Sequence, residues 1–198
     1  MKALLDRCGL KAVSTHAGLA RLKEALDEEI AYAKTLGYRL LVCPGIGADS
    51  AEGFAKEARF LEECAQKAAK EGLCVGYHNH SHEFVKYGGK YALDIILENA
   101  PTVKLQPDLF WIAVGGVDPL EYLEPLAGRI CAVHAKELAK TGKENVYVGE
   151  GRIDFAAIAK LCPPDRCPWI VEQEEYHSSH SDGIAASYRG LRRIFDSL

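Results

Sequence analysis

The chain lacks the features that would place it outside ordinary globular proteins. Its 198 residues contain no apolar run of membrane-spanning length, and residues 1–13 show neither a signal-peptide core nor a small-residue cleavage site. Lysines and arginines are scattered, which argues against a nucleic-acid surface. No low-complexity linker divides the chain. We therefore expect a single cytoplasmic domain over residues 1–198, without a nucleic-acid or membrane partner.

The chain also lacks the cysteine pattern of a structural metal site. Five of its seven cysteines lie inside apolar patterns, where a cysteine usually behaves as a small buried hydrophobe. Cys162 and Cys167 flank a proline-containing turn, and a zinc pair there would have no second pair to complete it. A reducing cytoplasm is the natural compartment for such a chain.

Short apolar, β-branched runs alternate with helical patterns along the whole chain. The runs are Leu10–Ser14, Tyr38–Val42, Leu73–Tyr77, Val103–Gln106, Ile130–His134 and Trp169–Glu172. The helical patterns are Lys2–Arg7, Leu19–Leu36, Ala51–Glu71, Tyr91–Asn99, Pro119–Ala127, Phe155–Leu161 and Gly183–Phe195. This alternation predicts a parallel sheet covered by helices, either as an open doubly wound sheet or as a (β/α)8 barrel. No glycine-rich phosphate loop follows the first run, which favours the barrel.

Polar side chains follow the strands where each strand ends. The third run leads into GYHNHSHEF, which holds three histidines and Glu83, and other runs are followed by His16, Asp108, His134 and Glu172. Imidazole has an unperturbed pKa near neutrality and is the commonest metal ligand. Because active sites of parallel α/β folds lie at the carboxyl ends of strands, these residues indicate one shared site.

Glu83, Asp108, His134 and Glu172 would converge at the mouth of a barrel. Three carboxylates and one imidazole form a hard, mostly oxygen ligand set, which suits Mn²⁺, Mg²⁺ or Co²⁺. An ion there could chelate a carbonyl and the neighbouring hydroxyl of a polyol and stabilise an enediolate. A carboxylate on each face of the substrate could then remove and return the proton. The alternative is that these acids are helix caps or surface charges.

Seven segments together resemble the xylose-isomerase-like TIM barrel superfamily, the sugar phosphate isomerase/epimerase group. They are STHAG at Ser14–Gly18, GYHNHSHEF at Gly76–Phe84, VKLQPDLFW at Val103–Trp111, GGVDP at Gly115–Pro119, AVHAKE at Ala132–Glu137, VGEGRIDF at Val148–Phe155 and IVEQEE at Ile170–Glu175. The resemblance implies a metal-dependent sugar or keto-polyol isomerase or epimerase. It implies that Glu83, Asp108, His134 and Glu172 hold a divalent ion, most simply Mn²⁺, with Mg²⁺, Co²⁺ or Zn²⁺ as alternatives.

The same resemblance suggests further roles. The two glutamates, Glu83 and Glu172, double as acid and base in such epimerases. Strand alternation points His78 and His80 to one side, so His80 is an alternative ligand to Glu83. The remaining substrate contacts are assigned to five side chains: His16, His78, His80, Trp111 and Lys136. Lys136 has a second reading as a surface charge, and Trp111 as an apolar lid or core residue.

The chain departs from its relatives in length. An eight-stranded barrel needs about 250 residues, whereas the pattern here supplies about six strands. We expect an N-terminally truncated barrel that lacks the first two strands. Six strands cannot close that barrel with the usual shear, and open edges invite pairing with another chain. We therefore predict a homodimer or higher homo-oligomer.

Three other functions share parts of this pattern. A dehydratase or β-eliminating lyase acting on a keto-inositol or 3-keto-sugar begins with the same proton abstraction, with His78 or His80 as acid beside the leaving group. An AP endonuclease shares the fold, but it needs more histidine ligands and a basic groove. A truncated relative could retain metal or ligand binding without catalysis. No arginine cluster marks a phosphate pocket.

Overall fold

A computed structural model describes all of residues 1–198. Ten strands run along the chain in the order β1 Ser14–His16, β2 Leu40–Cys43, β3 Cys74–His78, β4 Lys86–Tyr87, β5 Lys90–Tyr91, β6 Lys104–Gln106, β7 Val133–Ala135, β8 Glu137–Leu138, β9 Asn145–Val146 and β10 Trp169–Val171. Four strands form one sheet, in the order β1-β2-β3-β6, and β7 pairs in parallel with β10. The other four strands form two short antiparallel hairpins, β4 with β5 and β8 with β9.

Eight α-helices separate or follow these strands. They are α1 Lys2–Arg7, α2 Leu19–Leu36, α3 Ala51–Lys70, α4 Ala92–Asn99, α5 Leu109–Val114, α6 Pro119–Leu123, α7 Phe155–Leu161 and α8 His180–Phe195. Two 3₁₀ segments complete the structure, at His82–Phe84 and Glu124–Arg129. None of the helices combines the length and apolarity needed to cross a bilayer.

The chain divides into two compact units, of which the first comprises residues 1–78 and 86–105. Its sheet has the order β1-β2-β3-β6, and Leu40 of β2 lies between Ser14 and Cys74 in register. All four residues of β2 are buried, as expected for a parallel strand covered on both faces. Helix α3 contacts β3 and α4 through buried positions such as Phe54 and Leu61, which share one helical face.

The second unit comprises residues 79–85 and 106–198. Strand β7 pairs in parallel with β10, and a single parallel bridge joins Asp108 to His134. Helix α6 begins at the Asp118 cap with proline at its first position, and α7 begins at the Asp154 cap. The hairpin of β8 and β9 follows β7 directly, so it lies immediately beyond the end of a parallel strand.

The predicted rhythm of strands and helices is confirmed, with local corrections. Helices α2 and α7 have the predicted bounds, whereas the first strand is Ser14–His16 rather than Leu10–Ser14. Leu10 and Val13 are 60% and 47% exposed, so their apolar character does not mark a buried strand. The prediction missed α5 and both hairpins. Strands β1 and β10 each have one hydrogen-bonded neighbour.

The two cysteines of the proline-containing turn are bonded to each other. Cys162 and Cys167 form a disulfide, and both are buried. They are therefore not available as a zinc pair, and that alternative is wrong for this structure. Cys43 and Cys64 are buried free thiols, as predicted for cysteines within apolar patterns, and Cys74 and Cys131 are partly buried. The prediction is wrong for Cys8, which is exposed because it follows the short helix α1, none of whose residues is buried.

Candidate active site

Three of the predicted metal ligands meet in the second unit. Asp108, His134 and Glu172 each offer one ligand atom, and these atoms lie within 4.8 Å of one another. The main chain brings them together, since the His134 amide donates to the Pro107 carbonyl at 2.9 Å and the Glu172 amide donates to the Ala135 carbonyl at 3.3 Å. The prediction that these strand ends converge is therefore fulfilled for these three residues.

Asp108 is both a helix cap and a candidate ligand. Its Oδ1 accepts a hydrogen bond from the Trp111 amide at 2.9 Å and so caps α5. Its Oδ2 receives no hydrogen bond and lies 3.9 Å from His134 Nδ1. The side-chain amide of Asn79 fixes the Asp108 backbone, since Asn79 Oδ1 accepts from Asp108 N at 3.1 Å and Nδ2 donates to Asp108 O at 3.4 Å. The cap thus uses one oxygen of the carboxylate, and the other oxygen is the one that remains for the predicted ligand role.

Lys136 lies beside Glu172 of this group and is completely buried. Its Nζ is 2.5 Å from Glu174 Oε1 and 3.7 Å from Glu172 Oε1. The rings of Phe110 and Trp111 lie 4.8 and 4.7 Å from Nζ, within cation–π distance. The alternative reading of Lys136 as a surface charge is therefore wrong. Trp111 is occupied on one side by this ammonium group.

The electrostatics of the group favour a cation. Burial raises the pKa of Asp108 well above its usual value, and the negative charges of Glu172 and Glu174 raise it further. The Trp111 amide and the Lys136 ammonium lower this pKa and only partly offset the burial. His134 Nδ1 contacts Glu172 Oε2. A buried carboxylate oxygen without a donor, beside a second carboxylate and an imidazole, is a donor set that fits a hard divalent ion.

Glu83 does not join this group in the structure. It is fully buried, and its Oε2 accepts a hydrogen bond from the His80 amide at 2.8 Å. Its Oε1 lies 3.3 Å from His82 Nε2, and Glu83, His80 and His82 offer ligand atoms within 4.8 Å of one another. Burial lowers the pKa of His80, whose ring lies 5.6 Å from that of Trp111. The assignment of Glu83, or of His80, to the ion at Asp108 stays a prediction.

His16 and His78 lie together in the first unit. His16 is the last residue of β1 and is exposed, whereas His78 is the last residue of β3 and is buried. Their ring centroids are 5.1 Å apart. Their predicted role as substrate contacts stays a prediction.

Comparison with known proteins decides the family. A family model described as xylose isomerase-like TIM barrel matches residues 4–194. The chain belongs to this family. The α/β TIM-barrel-like fold class that the sequence predicted is thereby confirmed, with six parallel strands in this chain. No protein of curated function was found to match the chain.

Solved structures of this fold share it at low sequence identity. A sugar phosphate isomerase/epimerase from Parabacteroides distasonis superposes with a TM-score of 0.82 at 21% identity, over 98% of this chain and 75% of that one. A protein named IOLI with a bound zinc atom has a TM-score of 0.77 at 15% identity, over 99% and 81% of the two chains. An L-ribulose 3-epimerase has a TM-score of 0.75 at 16% identity, over 99% and 78%.

In this xylose isomerase-like chain, the buried carboxylate of Glu137 accepts hydrogen bonds from the loop after β9. The sequence pattern did not indicate this role. Glu137 is 1% exposed, and its Oε1 accepts from the amides of Leu138 and Ile153, both at 3.0 Å. Its Oε2 accepts from the Gly149 amide at 3.3 Å. A Cβ on Gly151 would lie 2.3 Å from Glu137 Oε1 and 2.1 Å from the Leu138 carbonyl. Gly151 is needed because the loop packs directly onto Glu137, and Gly149 has a φ of 91°, which favours glycine.

A second buried network, also missed, positions the partner of Lys136. Asn145 Oδ1 accepts from the Glu174 amide at 2.8 Å. Gln173 Nε2 donates to the Glu175 carbonyl at 2.8 Å, and the Ser187 hydroxyl donates to Gln173 Oε1 at 2.9 Å. These residues are polar and scattered in sequence, so no periodic pattern marks them. The AVHAKE and IVEQEE segments were the signals that could have identified Glu137 and Gln173.

Proposed function

We propose that this protein is a divalent-metal-dependent isomerase or epimerase of a sugar or keto-polyol, working by proton transfer next to a carbonyl. The observation that carries the proposal is the convergence of Asp108, His134 and Glu172, with one buried Asp108 oxygen that receives no hydrogen bond. Membership of the xylose isomerase-like family and the isomerases and epimerases among its structural relatives support this class of reaction.

Asp108, His134 and Glu172 would hold the ion, and Glu83 is the predicted fourth ligand. Mn²⁺ suits this mixed oxygen and nitrogen set, and Mg²⁺, Co²⁺ or Zn²⁺ are the alternatives. A bound ion supplies Lewis acidity, which polarises a substrate carbonyl and makes the adjacent proton more acidic. The buried position of Asp108 ties one ligand to the rigid start of α5, so the site is held in place by the fold.

Glu172 is the residue we assign to proton abstraction. Its side chain is 31% exposed, so a substrate can reach it, whereas Asp108 and Glu83 have no exposed side-chain area. His134 contacts one of its oxygens and Lys136 lies 3.7 Å from the other, so the carboxylate is oriented from two sides. The sequence prediction assigns Glu83 to the opposite face of the substrate, and its buried carboxylate would have to become accessible before it could return the proton.

Lys136 is assigned to a substrate oxygen. Its ammonium lies beside both Glu172 and Glu174 and within cation–π distance of the rings of Phe110 and Trp111. A fixed charge of this kind stabilises negative charge that develops on a substrate oxygen during proton transfer. His16, His78, His80 and Trp111 are proposed as further substrate contacts.

Proton exchange tests the proposal directly. The protein loaded with Mn²⁺ is incubated in D₂O with a panel of ketoses and 3-keto-sugars, and deuterium incorporation next to the carbonyl is followed by NMR. We expect exchange with wild type and a loss of at least 100-fold in Glu172→Gln. Glu175→Gln is the matched control, since Glu175 is an exposed glutamate of the same segment. Absence of exchange across the panel with metal bound would leave a protein that binds metal or ligand without catalysis.

One observation favours a dehydratase or β-eliminating lyase as the second candidate. His80 is half-buried, and its ring lies 5.6 Å from that of Trp111. An imidazole in this position could carry a proton to a leaving hydroxyl after the first proton is removed. Loss of water from a keto-inositol or a 3-keto-sugar, seen as a new alkene proton by NMR, would favour this reaction over epimerisation.

A further inference from the structure

We propose that Glu174 is a positioning residue of the candidate site: it holds the Lys136 ammonium away from Glu172, so that the ammonium stays available for a substrate oxygen. This role rests on the proposed function, in which Lys136 contacts a substrate oxygen and Glu172 abstracts a proton. Glu174 would act on the reaction only through Lys136.

Lys136 has two carboxylate neighbours at unequal distances. Its Nζ lies 2.5 Å from Glu174 Oε1, which is direct contact, and 3.7 Å from Glu172 Oε1, which is too long for a hydrogen bond. The Lys136 side chain has no exposed area, so its charge needs a close partner. Glu174 is that partner, and Glu172 is left without a direct contact to the ammonium.

The fold fixes the position of Glu174. Its amide donates to Asn145 Oδ1 at 2.8 Å, and Asn145 Nδ2 donates to the Glu137 carbonyl at 3.0 Å. Asn145 is buried, and Glu137 follows Lys136 directly in the chain. One buried amide side chain therefore ties the segment that carries the ammonium to the segment that carries its partner.

Loss of the Glu174 charge would change the contacts of Glu172. Glu172 would then be the carboxylate that remains within ion-pair distance of Lys136. A buried ammonium that has lost its partner is unfavourable, and the lysine stem is flexible, so Nζ would move toward Glu172. His134 Nδ1 already contacts the other oxygen of Glu172. Both the proton acceptor and the ammonium would thus be withdrawn from the substrate.

Deuterium exchange in a double-mutant cycle tests this role. The Mn²⁺-loaded protein is assayed with the ketose or 3-keto-sugar that wild type exchanges fastest, as wild type, Glu174→Gln, Lys136→Met and the double variant. We expect Glu174→Gln to lower kcat roughly 10- to 100-fold with KM changed less than about twofold, because a displaced group weakens the transition state more than substrate binding. In the Lys136→Met background the same substitution should change kcat less than about twofold. Glu175→Gln is the matched control and should match wild type.

A second measurement needs neither metal nor substrate. In protein carrying isotope-labelled lysine, the buried ammonium of Lys136 should give a side-chain NMR signal, because burial slows its proton exchange with water. Loss of this signal in Lys136→Met identifies it. We expect the signal to shift or broaden in Glu174→Gln and to stay in place in Glu175→Gln. Circular dichroism confirms that each variant is folded.

Each outcome bears on the positioning role. An unchanged kcat in Glu174→Gln would overturn it, and so would an equal loss in both backgrounds, since Glu174 would then act independently of Lys136. An unmoved ammonium signal in Glu174→Gln would also overturn it, and this signal decides alone where Lys136→Met abolishes exchange. Failure of the proposed function has a different signature: wild type exchanges no deuterium, while the ammonium signal still responds to Glu174→Gln.

Discussion

Substitution of Glu137 by glutamine tests how the buried carboxylate holds the loop after β9. Glutamine keeps one acceptor oxygen, which can retain the bonds from Leu138 and Ile153 to Oε1. Its NH₂ group replaces Oε2 and would face the Gly149 amide, so two donors would meet where a donor and an acceptor met before. The variant removes this interaction without changing the volume of the side chain.

The expected change in the free energy of unfolding combines two opposing contributions. Loss of a hydrogen bond to a charged acceptor, with a buried donor left unsatisfied, costs roughly 1.5–3 kcal/mol. Burial raises the pKa of Glu137, so the ionised carboxylate carries a desolvation penalty that the neutral amide avoids. We expect the free energy of unfolding to fall by about 1–3 kcal/mol. For a chain of this length that corresponds to a fall in Tm of roughly 2–4 °C per kcal/mol.

Urea denaturation and amide hydrogen exchange measure the effect. Exchange of the Gly149 and Ile153 amides should accelerate more than exchange in β7, because the loop loses its anchor. Glu150→Gln is the control: it makes the same chemical change at an exposed position of the same loop and should alter stability by less than about 0.5 kcal/mol. Equal effects of the two variants would refute the anchoring role of Glu137.

Three further predictions follow from the site and the open strand. Asn79→Ala should weaken Mn²⁺ binding about 10-fold in calorimetric titration, because Asn79 orients Asp108 through its backbone; an unchanged affinity would contradict that role. Because burial raises the pKa of Asp108, Mn²⁺ must displace a proton below that pKa, so its affinity should fall by up to tenfold per unit as the pH is lowered. Titration in two buffers of different ionisation enthalpy checks the proton release. Finally, β1 has one paired neighbour and Leu10 and Val13 nearby are exposed, so we predict a homodimer; light scattering that shows only monomer at micromolar concentration would refute it.

Local patterns were sufficient for most of the fold. Helices α2 and α3 were predictable because their apolar residues recur on one helical face, and the caps at Asp118 and Asp154 mark helix starts by their own chemistry. Helix α5 was not predictable, because its six apolar residues carry no periodicity that separates a helix from a buried strand. The hairpins were missed because strands of two residues carry almost no pattern.

The residues of the candidate site also divide into those that local sequence patterns could place and those that they could not. Parallel strands end at one edge of a sheet, so the residues Asp108, His134 and Glu172 could be placed together from their positions after apolar runs. Glu83 could not be placed in the same way, because it follows β3 by five residues and its direction is set by a 3₁₀ turn. Lys136 could not be identified as buried, since a lysine after a strand is usually exposed and only its aromatic neighbours and Glu174 stabilise it there.

The sequence by itself determined the parallel β/α architecture and the residues that stand at the strand ends, because periodicity and strand direction are local properties of the chain. Only the tertiary structure decided how those residues are grouped. It decided which oxygen of Asp108 caps α5, and that the carboxylate of Glu83 contacts the His80 amide and the His82 ring. Those choices depend on hydrogen bonds and burial contributed by residues distant in sequence, such as Asn79 for Asp108. No local pattern encodes such contacts, because their free energy exists only once the strands and turns are packed together.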